Sequence, residues 1–80
     1  MSVKLVFLGK LADIAGEAVR DMSAPLNWER LLAHLGEDLA SEIASDRVRI
    51  ALDGELLADK AQLVAQDGSE VALLPPVSGG

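Results

Sequence analysis

The residues best suited to chemistry in this 80-residue chain are the last six, Pro75-Pro76-Val77-Ser78-Gly79-Gly80. Each proline fixes φ at about −65° and withholds a backbone donor, so neither a sheet nor a helix continues through the pair. Paired prolines favour a stiff, extended polyproline stretch. Beyond them the chain tapers through Val77 and Ser78 to two residues without side chains. Fully extended, the segment reaches roughly 20 Å, enough to enter a neighbour's cleft. Its tip passes where a Cβ would clash, and what it delivers is an unhindered α-carboxylate at Gly80. A frayed end or a fusion scar is the competing reading. The Pro-Pro spacer and the apolar Val71-Ala72-Leu73-Leu74 run at its root favour a functional tail.

The rest of the chain offers no rival site. His34 is the single histidine, and helical spacing puts it on one face with Asn27 and Arg30, opposite a leucine stripe, as a solvated residue. The carboxylates are dispersed, with no pair spaced for shared acid–base work. One histidine and no cysteine give no metal site, no disulfide and no thiolate nucleophile. No glycine-rich loop follows a strand and opens a helix, so no phosphate cradle is expected. No cofactor is expected on the chain itself.

Composition narrows the class further. The chain carries 13 acidic and 7 basic residues, a net charge of −6. Nucleic-acid binding is therefore not expected, because there is no basic stripe to neutralise phosphates. An acidic surface suits a basic partner, or simply solubility. Half the residues are hydrophobic and only 2% aromatic, so leucine and alanine must supply the core. A chain this short buries only about 60% of its unfolded surface. The apolar run Leu5-Val6-Phe7-Leu8 is too short for a membrane span or a signal peptide, and a cytoplasmic location is expected.

These features require elements to position the tail. Residues 3–9 read as a strand, with Val3, Leu5 and Phe7 on one face and Lys4, Val6 and Leu8 on the other. Residues 11–15 suit a short helical turn closed by Gly16. Residues 17–22 suit a second strand, and Ser23-Ala24-Pro25 breaks the pattern. Asn27 is a natural N-cap for a helix whose Trp28, Leu31, Leu32 and Leu35 form a buried stripe ending at Gly36. A weaker helical stretch follows over residues 37–44. In residues 47–52, Val48, Ile50 and Leu52 alternate inward against Arg47 and Arg49. Asp53-Gly54 then signals a hairpin turn into a short return strand at residues 55–57. Residues 59–66 read as loop or one helical turn, and Asp67-Gly68 launches a last strand over residues 70–74.

This order predicts an α+β, β-grasp (ubiquitin-like) fold, with a mixed sheet and one main helix packed across one face. Residues 1–74 would be the domain and 75–80 the tail. The first and last strands would lie parallel at the centre, bringing Lys4 near Glu70 as a possible ion pair. Val6, Leu8 and Leu74 would point away from the helix. Leu8, Leu74 and Leu56 could form an exposed apolar patch beside the tail root, although isolated surface leucines are ordinary.

The closing stretch from Asp67 through Leu74-Pro75-Pro76-Val77-Ser78-Gly79-Gly80 resembles that of the small subunit of molybdopterin synthase. The opening strand, the Leu31-Leu32-Ala33-His34-Leu35-Gly36 run and the Leu52-Asp53-Gly54-Glu55-Leu56 hairpin resemble that family too. The likeness spans essentially the whole chain, and its most specific part is the tail. It implies a non-catalytic sulfur carrier. A ubiquitin-activating-like adenylyltransferase would use ATP to adenylate the Gly80 carboxylate, and a sulfur donor protein would convert the acyl-adenylate to a thiocarboxylate. Within the large subunit of molybdopterin synthase, this group would donate sulfur to cyclic pyranopterin monophosphate, forming the molybdopterin dithiolene. Gly79 and Gly80 would be the reacting end. Leu8, Leu56, Leu74, Pro75, Pro76, Val77 and Ser78 would meet the partner. A heterotetramer of two small and two large subunits is implied. The chain departs from the family in having Asp53 where asparagine is frequent, and Leu8 and Leu74 where phenylalanines are. The alternatives are a thiamine-type sulfur carrier, which usually lacks the Pro-Pro spacer, and a ubiquitin-like protein modifier. An interaction module with an incidental Gly-Gly end is the third.

Overall fold

The computed structural model describes residues 2–75. Pro76, Val77, Ser78, Gly79 and Gly80, the outer part of the predicted tail, lie outside the described residues.

Alternating hydrophobicity and short turns build the sheet. Strand β1 (Ser2–Phe7) runs into helix α1 (Lys10–Ala15), which closes at Gly16, and returns as β2 (Val19–Ser23). Strand β3 (Leu26–Asn27) leads into helix α2 (Trp28–Leu35) and helix α3 (Glu37–Ala44), with the break at Gly36. Strands β4 (Arg49–Leu52) and β5 (Glu55–Leu56) form a hairpin. A 3₁₀ turn (Lys60–Gln62), β6 (Val64–Ala65) and β7 (Glu70–Leu74) complete the described chain. The main sheet has the order β2-β1-β7-β4-β5. Strands β1 and β7 are parallel at its centre, and the other pairings are antiparallel.

This is the predicted β-grasp arrangement, with refinements. The helical turn, both helical stretches and the hairpin stand where the sequence placed them. Asn27 caps α2 as expected, its Oδ1 accepting from the Arg30 N–H at 2.9 Å. The β4 ladder begins at Arg49, two residues after the predicted start, although Val48 is buried as foreseen. Residues 59–66, read as loop or a single turn, contain that turn plus β6. Strand β6 pairs with β3 in a separate two-stranded sheet that the sequence did not reveal. Two-residue strands are too short to show a period.

The core lies between the main sheet and the helices. Val3, Leu5, Phe7, Ile50, Val71 and Leu73 from the sheet meet Leu11, Leu31, Leu35, Leu39 and Ile43 from the helices, all buried. Trp28 and Leu32 are partly buried against them. Among the described residues no polar or charged side chain is buried. The end of α3 is satisfied from a distance, since Lys60 Nζ donates to the Ile43 carbonyl at 2.8 Å and to that of Ser45. The same ammonium lies 5.6 Å from the Trp28 ring centroid. Desolvation draws the Lys60 pKa below its ordinary 10.5; Asp46 opposes the shift and Arg49 adds to it. Among the described residues no helix is long and apolar enough to cross a membrane.

Candidate functional site

Strand β7 is paired on both sides, so Pro75 follows from the middle of the sheet. The parallel β1–β7 ladder continues one step past β1, where the Leu8 N–H donates to the Leu73 carbonyl at 3.2 Å. Immediately after it, Gly9 turns the chain into α1 with φ 55° and ψ −132°. This is the mirror image of extended backbone, open to glycine but costing an L-residue about 1–3 kcal/mol. A Cβ at Gly9 would also stand 3.1 Å from Pro75 Cγ. Gly9 therefore lets the backbone pass beneath the proline ring at the root of the tail.

The outer face of the sheet, away from the helices, surrounds this root. Pairing registers align Val19 with Val6, Val6 with Ala72, Ala72 with Ala51 and Ala51 with Leu56. The result is one apolar row crossing all five strands. Its ends are the most open, with Val19 47% and Leu56 60% exposed. On the tail side of the row, Leu74 pairs with Arg49, and Leu8 lies at the end of β1, 39% exposed. On the other side runs a charged row in which Lys4 lies between Asp21 and Glu70.

Of the predicted partner residues, Leu8, Leu56 and Leu74 are on one face but not in one knot, and Pro76, Val77 and Ser78 lie outside the described residues. Leu8, Leu74 and Pro75 cluster at the tail root, with Leu74 and Pro75 partly buried. Leu56 stands on the edge strand, connected to them through Ala51 and Ala72. Lys4 and Glu70 are ladder partners as expected, yet their side chains form no ion pair. Both are exposed, Asp21 competes for Lys4, and in water an exposed pair seldom repays the loss of side-chain freedom. Nothing in the sequence marked Gly9, Val19, Ala51 and Ala72 as part of this surface. Alternation puts each strand residue on a face, but only the register between strands joins such residues into a row.

The Asp53-Gly54 hairpin braces this face. Both residues have positive φ, 51° and 87°, as a two-residue type I′ turn requires. Asp53 also holds β7, its N–H donating to the Glu70 carbonyl and its Oδ1 accepting from the Glu70 N–H, both at 2.8 Å. On the helix side, His34 is exposed beside Arg30, as its spacing implied.

A mixed five-strand sheet grasping two helices, with a parallel central pair running out into Pro75 beside an open apolar face, defines a ubiquitin-like β-grasp protein. The chain belongs to the ThiS family, which matches residues 5–80. It is 31% identical to the molybdopterin synthase sulfur carrier subunit of Chlamydomonas reinhardtii over 86 residues, covering 100% of both chains. It is also similar to a chain in the complex of subunits 1 and 2 of molybdopterin-converting factor from Helicobacter pylori. The TM-score there is 0.67, at 29% identity and full coverage of both. SAMP1 of Haloferax volcanii superposes with a TM-score of 0.72 at 26% identity, again over 100% of each chain.

Proposed function

We propose that this chain is the sulfur carrier of molybdopterin synthase, working in the cytoplasm. The observation that carries this reading is the end-to-end match to a molybdopterin synthase sulfur carrier subunit, 31% identical with nothing left over on either side. An adenylyltransferase of the ubiquitin-activating kind joins the Gly80 carboxylate to AMP from ATP, releasing pyrophosphate. A sulfur donor protein supplies sulfur at persulfide level. Its terminal sulfur attacks the acyl-adenylate and expels AMP, and a second thiol then cleaves the resulting acyl disulfide, leaving the Gly80 thiocarboxylate and a disulfide on the donor side. The thiocarboxylate sulfur then bonds to cyclic pyranopterin monophosphate in the large subunit, and water cleaves the acyl–sulfur bond, leaving the sulfur on the pterin and restoring the carboxylate. The chain is a co-substrate in this cycle. The absence of a side chain at Gly79 and Gly80 allows both nucleotide and sulfur donor to approach the carbonyl, and the large subunit supplies the dry cleft. The apolar outer face with Leu8, Leu56, Leu74 and Pro75 is the surface for that subunit. The Helicobacter pylori complex of two such subunits supports the pairing.

A second reading has its own support, because SAMP1 of Haloferax volcanii, 26% identical over the whole of each chain, is by name a small archaeal modifier protein. In that case Gly80 would be joined to lysines through isopeptide bonds. Intact-protein mass spectrometry separates the two. The chain would be incubated with its host's extract, ATP and a sulfur source, beside a variant lacking Gly80. The expected result is a mass gain equal to one oxygen replaced by sulfur, absent from the variant. Lysine-linked conjugates without that gain would establish the modifier instead. An unchanged mass in an active extract would leave the tail without a role. Conversion of cyclic pyranopterin monophosphate by the loaded carrier and large subunit would then separate this pathway from a thiamine-type one.

A further inference from the structure

Strand β2 is a five-residue edge that pairs with β1 alone. The opposite edge, β5, is only two residues long. The Phe7 N–H donates to the Ala18 carbonyl at 2.8 Å, which fixes the phase of the antiparallel ladder. Residues 18, 20 and 22 turn their backbone groups toward β1. Val19, Asp21 and Ser23 therefore turn theirs outward, as the alternation of an antiparallel pair requires. A long edge with unspent donors and acceptors is a template for one more strand.

What lies beside that edge says which strand it would take. An open groove of about 290 Å³ runs between β2 and α2, lined by Arg20, Asp21, Met22, Ser23, Arg30 and His34. Arg20 is held from below, with its guanidinium 5.5 Å from the Phe7 ring centroid and its Nε donating to Glu17 at 2.6 Å. Arg30 spends one nitrogen on the Pro25 carbonyl at 3.2 Å. Each guanidinium has five N–H donors, so most remain for an incoming carboxylate. Asp21 is the one carboxylate on the wall, and its register with Lys4 puts its side chain on the outer face. Two arginines and a histidine gathered in one groove stand out in a chain of net charge −6 with 7 basic residues in all. The outer side of the same edge is apolar, because Val19 ends the row that crosses the sheet.

We propose that the β2–α2 groove is a docking site for an extended acidic segment of a partner protein, added to the sheet as a sixth strand. Its residues alternate. Acidic side chains on the inner face meet Arg20, Arg30 and His34, and aliphatic ones on the outer face extend the row beyond Val19. The groove is on the helix side of β2, two strands away from β7, so Arg20, Arg30 and His34 lie apart from the face assigned to the large subunit, which the added strand meets only at Val19; the proposal does not depend on the sulfur-carrier reading.

The test uses the full chain, labelled with ¹⁵N, and a synthetic capped hexapeptide of alternating glutamate and valine. Amide hydrogen exchange should slow at Val19, Asp21 and Ser23 when the peptide binds. The amides of Arg20 and Met22, already paired with β1, should change little. Two variants follow. Asp21→Pro removes an outward donor at a position where an edge strand tolerates proline, and Arg30→Glu reverses charge on an exposed helix face. Each should weaken binding at least tenfold while thermal unfolding shows the chain still folded. A peptide with lysine for glutamate should not bind. Equal binding of the lysine peptide would overturn the proposal. So would protection appearing at Leu56 and Leu74 instead, no protection at Val19, Asp21 and Ser23, or self-association that occupies β2 without peptide.

Discussion

Gly9 makes room for Pro75 where the last strand ends. Its φ of 55° and the 3.1 Å approach of a would-be Cβ to Pro75 are separate constraints with separate costs. Gly9→Ala should lower stability in urea unfolding by about 1–3 kcal/mol from the strained backbone alone. The crowding adds to this and depends on the proline ring. Pairing Gly9→Ala with Pro75→Ala should therefore recover part of the loss, with a coupling of about 0.5 kcal/mol or more in a double-mutant cycle. Strict additivity would mean the ring does not rest on Gly9. At Gly80 the proposed chemistry needs no side chain, so Gly80→Val should fold as the parent does and fail to gain sulfur in the mass assay.

At the scale of elements, the outer face and the helix ends answer to different forces. Leu56 is 60% exposed on a two-residue strand, so the fold gains little from it. Leu56→Asp should shift stability by no more than about 0.5 kcal/mol. The same change should weaken association with the large subunit at least tenfold by titration calorimetry; unaltered affinity would remove Leu56 from that surface. Lys60 illustrates the contrary case of a charged residue that the fold requires. It closes α3 through the Ile43 and Ser45 carbonyls and covers Trp28. Lys60→Ala should cost about 1–3 kcal/mol in urea unfolding, since it strands two acceptors that a charged donor now satisfies.

For the molecule as a whole, a small aliphatic core leaves little margin. Domains of this size sit near the low end of about 5–15 kcal/mol of stability. Leu31 is fully buried between α2 and the sheet. Leu31→Ala should cost about 2–5 kcal/mol, enough to leave a substantial unfolded fraction at 37 °C in a thermal melt monitored by circular dichroism. A loss below 1 kcal/mol would mean that neighbouring leucines collapse into the space.

Much of this architecture was written locally. The period-2 run in β1, the Asn27 cap with its leucine stripe and the Asp53-Gly54 turn each act over a few residues, so sequence alone placed those elements. Their order was enough to indicate the β-grasp. The chemistry proposed for the tail also rests on residue type, because the bareness of Gly79-Gly80 needs no fold to be recognised. Only the tertiary structure decided what depends on register and contact across the chain. Val19, Val6, Ala72, Ala51 and Leu56 come from four distant stretches and become a row only when the strands pair. Gly9 meets Pro75 across 66 positions because β1 and β7 run parallel. Strands β3 and β6 were illegible, since two residues carry no period. Local chemistry determines the elements; the hydrogen-bond register between them, set by burying one continuous core, determines which surfaces exist.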